Sequence, residues 1–366
     1  MELARPTTPQ EAAACVADAI AICEVPAPTG AEAARGRAVA RRLAELGLEP
    51  TADETGNVLA RVGPEGPALA VAAHLDTVFA ELDEIRVWRD GDVLHGPGIG
   101  DNALGVAGLL HLARRLAAAG PGALRRGVVL AATVGEEGLG NLRGARALVA
   151  GAGVDELLAV EGGDLGDLIP GGPGSVRLRV TATAPGGHSW ADRGSPSAAH
   201  ALVGLLGEVL AAPGVEAANV NGLASEGSVN AIAPRAEALL DLRDLDGARL
   251  AAAHAAVAER AAAAAAATGT DIRVELVGDR PGGRLPEDHA LLADLRAARA
   301  AAGLGDPEPS LQSTDANAAL GAGLPAATLG LARVRGAHTL QEHVDVGALP
   351  AGLDVLVGLV ARRARG

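Results

Sequence analysis

Five side chains of the kinds that bind metal ions fall within residues 74–161. Each follows an apolar run that predicts a β-strand, or lies in the glycine-rich turn after one; they are His74, Asp101, Glu136, Glu137 and Glu161. Strands that end at the same edge of one sheet would bring these groups together. Because imidazole and carboxylate groups are common zinc ligands, the pattern predicts a metal site.

The first two of these residues each have an ordinary alternative. His74, in His74-Leu75-Asp76, is either a ligand whose ring is oriented by a nearby carboxylate or a satisfied loop histidine. Asp101 is either a ligand or the N-cap of a helix expected to start at Asn102. A carboxylate has two oxygens, so Asp101 could also bridge two cations. The surrounding glycines do not form a dinucleotide-binding fingerprint, because Asp stands at position 101 where Gly is required.

The adjacent pair Glu136-Glu137 is costly at a buried strand end unless a cation or a shared proton compensates. Neighbouring side chains diverge, which favours one as a ligand and the other as a proton carrier. Downstream, His338 supplies a second imidazole, whereas His343 is expected to start a packed strand or helix. With Asp101 and Glu161, the four carboxylates balance the charge of two Zn²⁺ ions. Such ions would lower the pKa of a bridging water, whose proton a free carboxylate could accept.

Composition restricts the remaining chemistry. All 31 basic residues are Arg, so a Lys Schiff base and a Walker-type phosphate loop are excluded. The net charge of −14 disfavours nucleic acid and anionic membranes as partners. No apolar run is long enough to predict a membrane span. Cys15 and Cys23 are expected to be buried free thiols, and the first residues lack the layout of a secretory signal, so a cytoplasmic location is expected.

The order of elements predicts an α/β domain with a mixed sheet flanked by helices, interrupted by a smaller α+β domain. Two Thr-x-x-Glu patterns, at Thr8 and Thr29, predict capping boxes of the first two helices. Alternating residues 176–182 and 236–242 and the run 272–276 predict strands of the insertion, with helices near 197–211 and 248–267. We therefore expect a catalytic domain at 1–172 and 285–366, with an inserted domain at 173–284.

Taken together, these segments resemble the co-catalytic zinc amidohydrolases and peptidases, a family that includes aminoacylase, acetylornithine deacetylase, succinyl-diaminopimelate desuccinylase, carboxypeptidase G and tripeptide aminopeptidase. The similarity follows the family's order over nearly the whole chain. The matching segments are His74-Leu75-Asp76-Thr77-Val78, Gly98-Ile99-Gly100-Asp101-Asn102, Glu136-Glu137-Gly138, Glu161, Gly186-Gly187-His188-Ser189, Val229-Asn230-Ala231-Ile232-Ala233-Pro234, Ser313-Thr314-Asp315 and Ala337-His338-Thr339.

The resemblance implies a role for each member of the metal site. One zinc ion would be bound by His74, Asp101 and Glu161, and the other by Asp101, Glu137 and His338. Co²⁺ or Mn²⁺ could substitute for zinc. The resemblance also implies that Glu136 is the general base, that Asp76 orients His74, and that the peptide bond between Asp101 and Asn102 is cis.

Residues of the insertion have implied or weaker roles. The resemblance implies that the insertion is a ferredoxin-like lid and dimerisation domain, and that His188 reaches the active site of a partner subunit in a homodimer. Asn230, Arg243 and Arg280 are candidates for binding substrate, although Arg243 could instead form a salt bridge with a neighbouring Asp. Trp190 stands where many relatives have a small residue, and it could line the substrate entrance or simply pack.

The sequence thus predicts a metal-dependent hydrolase that cleaves a peptide or amide bond in a small amino-acid-derived substrate. The overall segment pattern favours a dipeptidase or tripeptidase, whereas Glu rather than Asp at position 161 favours a deacylase of N-acyl amino acids. A third hypothesis is a relative that has lost catalysis and only binds a ligand. The complete set of ligands and base argues against it.

Overall fold

The computed structural model describes residues 3–151 and 153–365 and divides them into two compact units. The main unit comprises the chain up to Gly172 and from Arg284 onward, and the inserted unit comprises Pro173–Gly283. The second boundary lies one residue before the one expected from sequence.

A six-stranded sheet forms the centre of the main unit. Its four consecutive strands 127–133, 68–74, 154–161 and 326–330 are parallel to one another. At one edge of the sheet, strand 58–62 pairs antiparallel with strand 127–133, and strand 51–52 pairs antiparallel with strand 58–62. The predicted mixed sheet is therefore confirmed. In spatial order the strands are Thr51–Ala52, Val58–Val62, Gly127–Thr133, Ala68–His74, Val154–Glu161 and Ala326–Gly330.

The parallel strands deliver the ligand candidates to one edge. Every residue of Ala68–His74 and of Gly127–Thr133 is buried, as expected for apolar strands covered on both faces. His74 ends its strand opposite Thr133, and Glu161 ends the strand on the other side. Because parallel strands point the same way, their carboxyl ends place these side chains on a common rim.

Helices flank this sheet, and the first confirms its predicted capping box. The Thr8 hydroxyl accepts from the Glu11 amide, and the Glu11 carboxylate accepts from the Thr8 amide, with Pro9 at the first helical position. The helices of the main unit are Pro9–Cys23, Ala33–Glu45, Leu104–Ala119, Arg143–Gly151, Ala290–Ala301, Ala316–Gly321 and Leu349–Arg365.

The second predicted capping box is wrong. The helix begins at Ala33, and its N-cap has no side-chain hydrogen bond. The Thr29 hydroxyl instead donates to Asp76 Oδ2 at 2.9 Å. Glu32 accepts from the amides of Gly30 and Gly135 at 2.9 and 3.1 Å. Tertiary contacts to the rim of the sheet therefore occupy both side chains of the pattern.

The third helix begins at Leu104 rather than at Asn102. Residues Ile99–Ala103 form a wider turn in which Asp101 and Asn102 have non-helical backbone angles. The N-cap of the helix has no side-chain hydrogen bond, so the N-cap alternative for Asp101 is wrong. The peptide bond between Asp101 and Asn102 is cis, as the resemblance implies.

The inserted unit is a four-stranded antiparallel sheet with two helices packed through Val, Leu and Ala side chains. Gly269, in the left-handed region at φ 65°, ends the longer helix. Sequence reasoning missed one edge strand, which is mostly exposed and lacks an apolar alternation. In spatial order the strands are Ala217–Ser225, Arg235–Asp244, Gly174–Thr183 and Asp271–Arg280, and the helices are Ala198–Ala211 and Gly247–Thr268.

Several short strands complete the structure. One small sheet is formed by Trp88–Asp90, Val93–His95, His343–Asp345 and Arg333–Arg335, so the prediction that His343 starts a strand is confirmed. Other short strands are Asp167–Leu168, Gly171–Gly172, Gly187–His188, Ala231–Ile232, Gly283–Arg284 and Glu308–Pro309. Cys15 and Cys23 are buried and free, as expected. No helix in the described part of the chain is long and apolar enough to cross a membrane.

Candidate metal centre

His74, Asp101 and Glu161 form one ligand group at the rim of the main sheet. His74 Nε2 lies 3.0 Å from Asp101 Oδ1 and 3.5 Å from Glu161 Oε2. The His74 side chain is only 2% exposed. One ligand atom from each of the three residues lies within 4.8 Å of the others, a spacing that could hold a metal ion.

A second group shares Asp101 with the first. His338 Nε2 lies 3.1 Å from Asp101 Oδ2 and 3.1 Å from Glu137 Oε1. These three residues also satisfy the 4.8 Å spacing. Asp101 thus presents Oδ1 to His74 and Oδ2 to His338, which is the arrangement expected of a carboxylate that bridges two cations.

Asp76 makes its shortest contact with the His74 ring through its backbone oxygen rather than through its carboxylate. His74 Nδ1 lies 3.0 Å from the backbone oxygen of Asp76 and 3.7 Å from its carboxylate. The two carboxylate oxygens accept from the amides of Glu136 and Glu137, both at 2.9 Å. Asp76 therefore fixes the ring of His74 through its backbone and the Glu136-Glu137 turn through its side chain.

Glu136 and Glu137 are both buried, yet they have different surroundings. Glu137 contacts His338, and among the described residues Glu136 shares a possible ligand group with His74 and Glu137. The expected divergence of the two side chains is therefore incomplete, because one oxygen of each carboxylate lies within 4.8 Å of the other and of a His74 ring nitrogen. Asp315, to which sequence reasoning gave no role, is a further buried carboxylate that accepts from the Thr133 hydroxyl. Burial and the charge of Glu136 raise the pKa of Asp315 to about 7.

The electrostatics of the cluster favour cations. Burial raises the pKa of Glu161 to about 8 and that of Glu137 to about 7, with the Asp101 charge adding to both shifts. Hydrogen bonds that His338 donates to the carboxylates of Asp101 and Glu137 raise the pKa of His338 to about 10. Crowded carboxylates that resist ionisation gain most from a divalent cation, and imidazole with carboxylate suits zinc. The residues present therefore fit a pair of metal ions, and the half-exposed His338 leaves one side open to solvent.

The predicted residues of the inserted unit have their described contacts within that unit. His188 is exposed, and its Nδ1 accepts from the amides of Trp190 and Ala191 at 3.2 Å. Trp190 is 74% exposed and lies under the guanidinium of Arg193. Within its own chain Trp190 is therefore not part of a packed core, and its place at the substrate entrance stays a prediction.

The three substrate-binding candidates lie in different settings. Asn230 is exposed and accepts from the Ser228 hydroxyl at 2.8 Å. Arg243 forms a salt bridge with Asp241 at 2.8 Å, the alternative foreseen for it. Arg280 is buried at the end of its strand.

Sequence reasoning missed the residues that hold the ligand-bearing loops. Thr29 and Glu32 were assigned to a helix cap, and Glu342 was given no role, although its carboxylate accepts from amides of the Asp101 loop. The only local signal for Glu342 was its position four residues after His338. Their long-range partners lie from 47 to 244 residues away, where local patterns give no information.

Comparisons with known proteins place the chain in a family. The model of peptidase family M20/M25/M40 matches residues 70–362. A putative LysW-lysine/LysW-ornithine hydrolase of Pyrococcus abyssi is 32% identical over 127 residues, which is 35% of this chain and 34% of that protein. The chain thus matches about a third of the length of this curated relative.

Solved structures are similar over nearly their whole length. A tripeptidase of Staphylococcus aureus has a TM-score of 0.78 at 18% identity, covering 96% of this chain and 99% of that chain. An amidase of the hydantoinase/carbamoylase family from Burkholderia vietnamiensis has a TM-score of 0.77 at 17% identity, covering 99% and 98%. These likenesses concern the fold, and the family match covers most of the sequence. The chain therefore belongs to peptidase family M20/M25/M40.

Proposed function

We propose that the protein is a metal-dependent hydrolase that cleaves a peptide or amide bond in a small amino-acid-derived substrate. The observation that carries the proposal is the Asp101 carboxylate, whose two oxygens face two different imidazoles. A group that only capped a helix or paired with one histidine would not need this placement. The family match supports the reaction class.

The proposed metal ligands form two sets that share one residue. One set is His74, Asp101 and Glu161, and the other is Asp101, Glu137 and His338. When bound, the two ions would supply Lewis acidity toward the scissile carbonyl and lower the pKa of water. Imidazole and carboxylate ligands favour Zn²⁺, and Co²⁺ or Mn²⁺ could replace it.

Glu136 is the proposed general base. Asp76 holds the Glu136 amide, which fixes the turn that carries the side chain. Glu136 takes a proton from the attacking water as the water oxygen bonds to the carbonyl carbon. It then returns this proton to the nitrogen as the carbon–nitrogen bond breaks, so that a carboxylic acid and an amine leave the site.

The proposed substrate is a dipeptide or tripeptide, and N-acyl amino acids are the alternative. The relative named for LysW-lysine and LysW-ornithine hydrolysis supports an amino-acid-derived substrate. The tripeptidase and amidase folds are equally compatible with the chain. Glu161 rather than Asp at this ligand position is the observation that favours the deacylase alternative.

A hydrolysis screen distinguishes these substrates. We expect kcat/KM for the best dipeptide or tripeptide to exceed that for the best N-acetyl amino acid by at least about tenfold, or about 1.4 kcal/mol. The zinc-loaded protein and its metal-free form should be assayed side by side, so that only metal-dependent cleavage is counted. Faster cleavage of N-acetyl amino acids would establish the alternative instead.

His188 is proposed to act across a homodimer formed through the inserted unit. Its exposed position, with Nδ1 engaged by two amides, supports a side chain that is held ready for a partner outside its own chain. At the partner's active site it would stabilise the oxyanion that develops on the carbonyl.

Mixing two inactive variants tests this action in trans. Homodimers of His188→Ala and of Glu136→Gln should each be nearly inactive. Each hybrid dimer should regain up to about half of the activity of an unchanged dimer, because one of its two sites then has both residues intact. Hybrids that form but remain inactive would show that His188 does not act across the dimer.

A further inference from the structure

We infer that Glu342 is a positioning residue that sets the metal affinity of the site by holding the loop that carries Asp101. The inference rests on the proposed metal centre. Glu342 is 1% exposed, and its carboxylate accepts three backbone hydrogen bonds. Oε2 accepts from Gly98 at 2.9 Å, and Oε1 accepts from Gly100 at 2.8 Å and from Asp101 at 2.9 Å.

The three amides need an acceptor that only a buried side chain can supply. The turn Ile99–Ala103 is not a regular helix at Asp101, so a helical carbonyl partner is not available to its amide. A buried amide without a partner costs about 1–3 kcal/mol. One carboxyl group with two oxygens satisfies all three amides at once.

Close packing of Gly98 and Gly100 against two further side chains also limits where this loop can move. A Cβ at Gly98 would lie 2.7 Å from the Thr77 methyl carbon, and one at Gly100 would lie 2.3 Å from a Val334 methyl carbon. Both contacts are shorter than side chains tolerate. The hydrogen bonds to Glu342 and the close contacts with Thr77 and Val334 therefore restrict the backbone from which the Asp101 carboxylate extends.

The same chain segment also carries His338, four residues before Glu342. The Glu342 carbonyl accepts from the Gly96 amide at 3.0 Å, and His343 pairs with His95 in the small sheet. The segment is thus joined to the Asp101 loop by its backbone and by its carboxylate. Glu342 thereby sets the distance between two ligands of one set, Asp101 and His338, which come from distant parts of the chain.

Substitution of Glu342 should weaken metal binding more than it weakens the fold. In Glu342→Gln, the NH₂ group of the new side chain faces backbone amides that have a carboxylate oxygen as acceptor in the unchanged protein. Substitution of a residue that orients a metal ligand typically lowers metal affinity by about 10- to 100-fold, and we expect a loss of about this size in Glu342→Gln. Both zinc ions should be affected, because Asp101 belongs to both ligand sets.

The measurement is zinc affinity by chelator competition, together with the unfolding temperature of the metal-free proteins. Glu342→Asp keeps both oxygens on a side chain one methylene shorter, so it should recover part of the affinity, and it serves as the second variant if Glu342→Gln does not fold. The matched control is Asp244→Asn. Asp244 is an equally buried carboxylate in the inserted unit that accepts from the amides of Glu216 and Asp246.

Asp244→Asn should bind zinc as the unchanged protein does, whatever its unfolding temperature. Wild-type zinc affinity in both Glu342 variants would overturn the inference. The inference would also be overturned if Glu342→Gln and Asp244→Asn lost zinc affinity to the same extent for the same decrease in the unfolding temperature of the metal-free protein. The assay needs no turnover, so a protein that binds zinc but hydrolyses no peptide or amide would contradict the proposed function while leaving the role of Glu342 intact.

Discussion

Glu136→Gln is expected to lower kcat by about 10²- to 10⁴-fold, the usual contribution of a general base, while the protein keeps two zinc ions per chain. The Gln side chain has nearly the same shape but cannot accept the proton of the attacking water. The Glu136 amide donates to Asp76 through the backbone, so the substitution leaves this contact in place. Steady-state kinetics and metal analysis of the same preparation give both quantities.

The control for this variant is Glu65→Gln. Glu65 belongs to the main unit, and its side chain is 94% exposed, so this replacement should change neither kcat nor zinc content. A Glu136→Gln protein with near-normal kcat would remove Glu136 from the mechanism. Loss of zinc from this variant would instead make Glu136 a ligand, as its place in a group with His74 and Glu137 would allow.

Asp101→Asn is expected to release both metal ions, because one carboxylate serves both ligand sets. The amide would keep one oxygen and turn its NH₂ group toward either His74 or His338, each about 3 Å from the present oxygens. Zinc content should fall from two ions to fewer than one per chain after dialysis. Activity should fall by at least about 100-fold, the upper end of the loss on removing a residue that merely orients a ligand, because Asp101 is itself a proposed ligand of both ions.

Glu161→Gln is the matched comparison for Asp101→Asn. Glu161 belongs to one ligand set only, so this variant should weaken one zinc ion and retain the other. Equal zinc loss in the two variants would argue against a bridging role for Asp101. Retention of both ions in Asp101→Asn would exclude Asp101 as a ligand.

The positions of the ligands along the chain could be predicted because the ends of strands are local properties of the sequence. Apolar runs before His74 and Glu161 identify buried strands, and parallel strands share one rim. His338 could be identified as a second imidazole from its residue type, whereas its place in a ligand set and the cis peptide after Asp101 followed from the resemblance alone. In the inserted unit, alternation predicted the strands Gly174–Thr183 and Arg235–Asp244, but the exposed edge strand Ala217–Ser225 has no alternation to reveal it.

The contacts that fix the loops could not be predicted in the same way. Thr29-Gly30-Ala31-Glu32 has the local form of a capping box, yet both polar side chains bind distant loops. Asp101 has the local form of an N-cap, yet its carboxylate faces two histidines. In each case several long-range hydrogen bonds and charges outweigh a cap contribution of about 1 kcal/mol. Glu342 has no local pattern at all, because its three partner amides lie more than 240 residues before it.

The central claim is that Asp101 joins two metal ions in one site. Anomalous diffraction at the zinc absorption edge, from crystals of the zinc-loaded protein, tests it most directly. The account predicts two zinc peaks per chain, one among His74, Asp101 and Glu161 and the other among the members of the second set, Asp101, Glu137 and His338. A single peak, or two peaks of which only one lies against the Asp101 carboxylate, would contradict it.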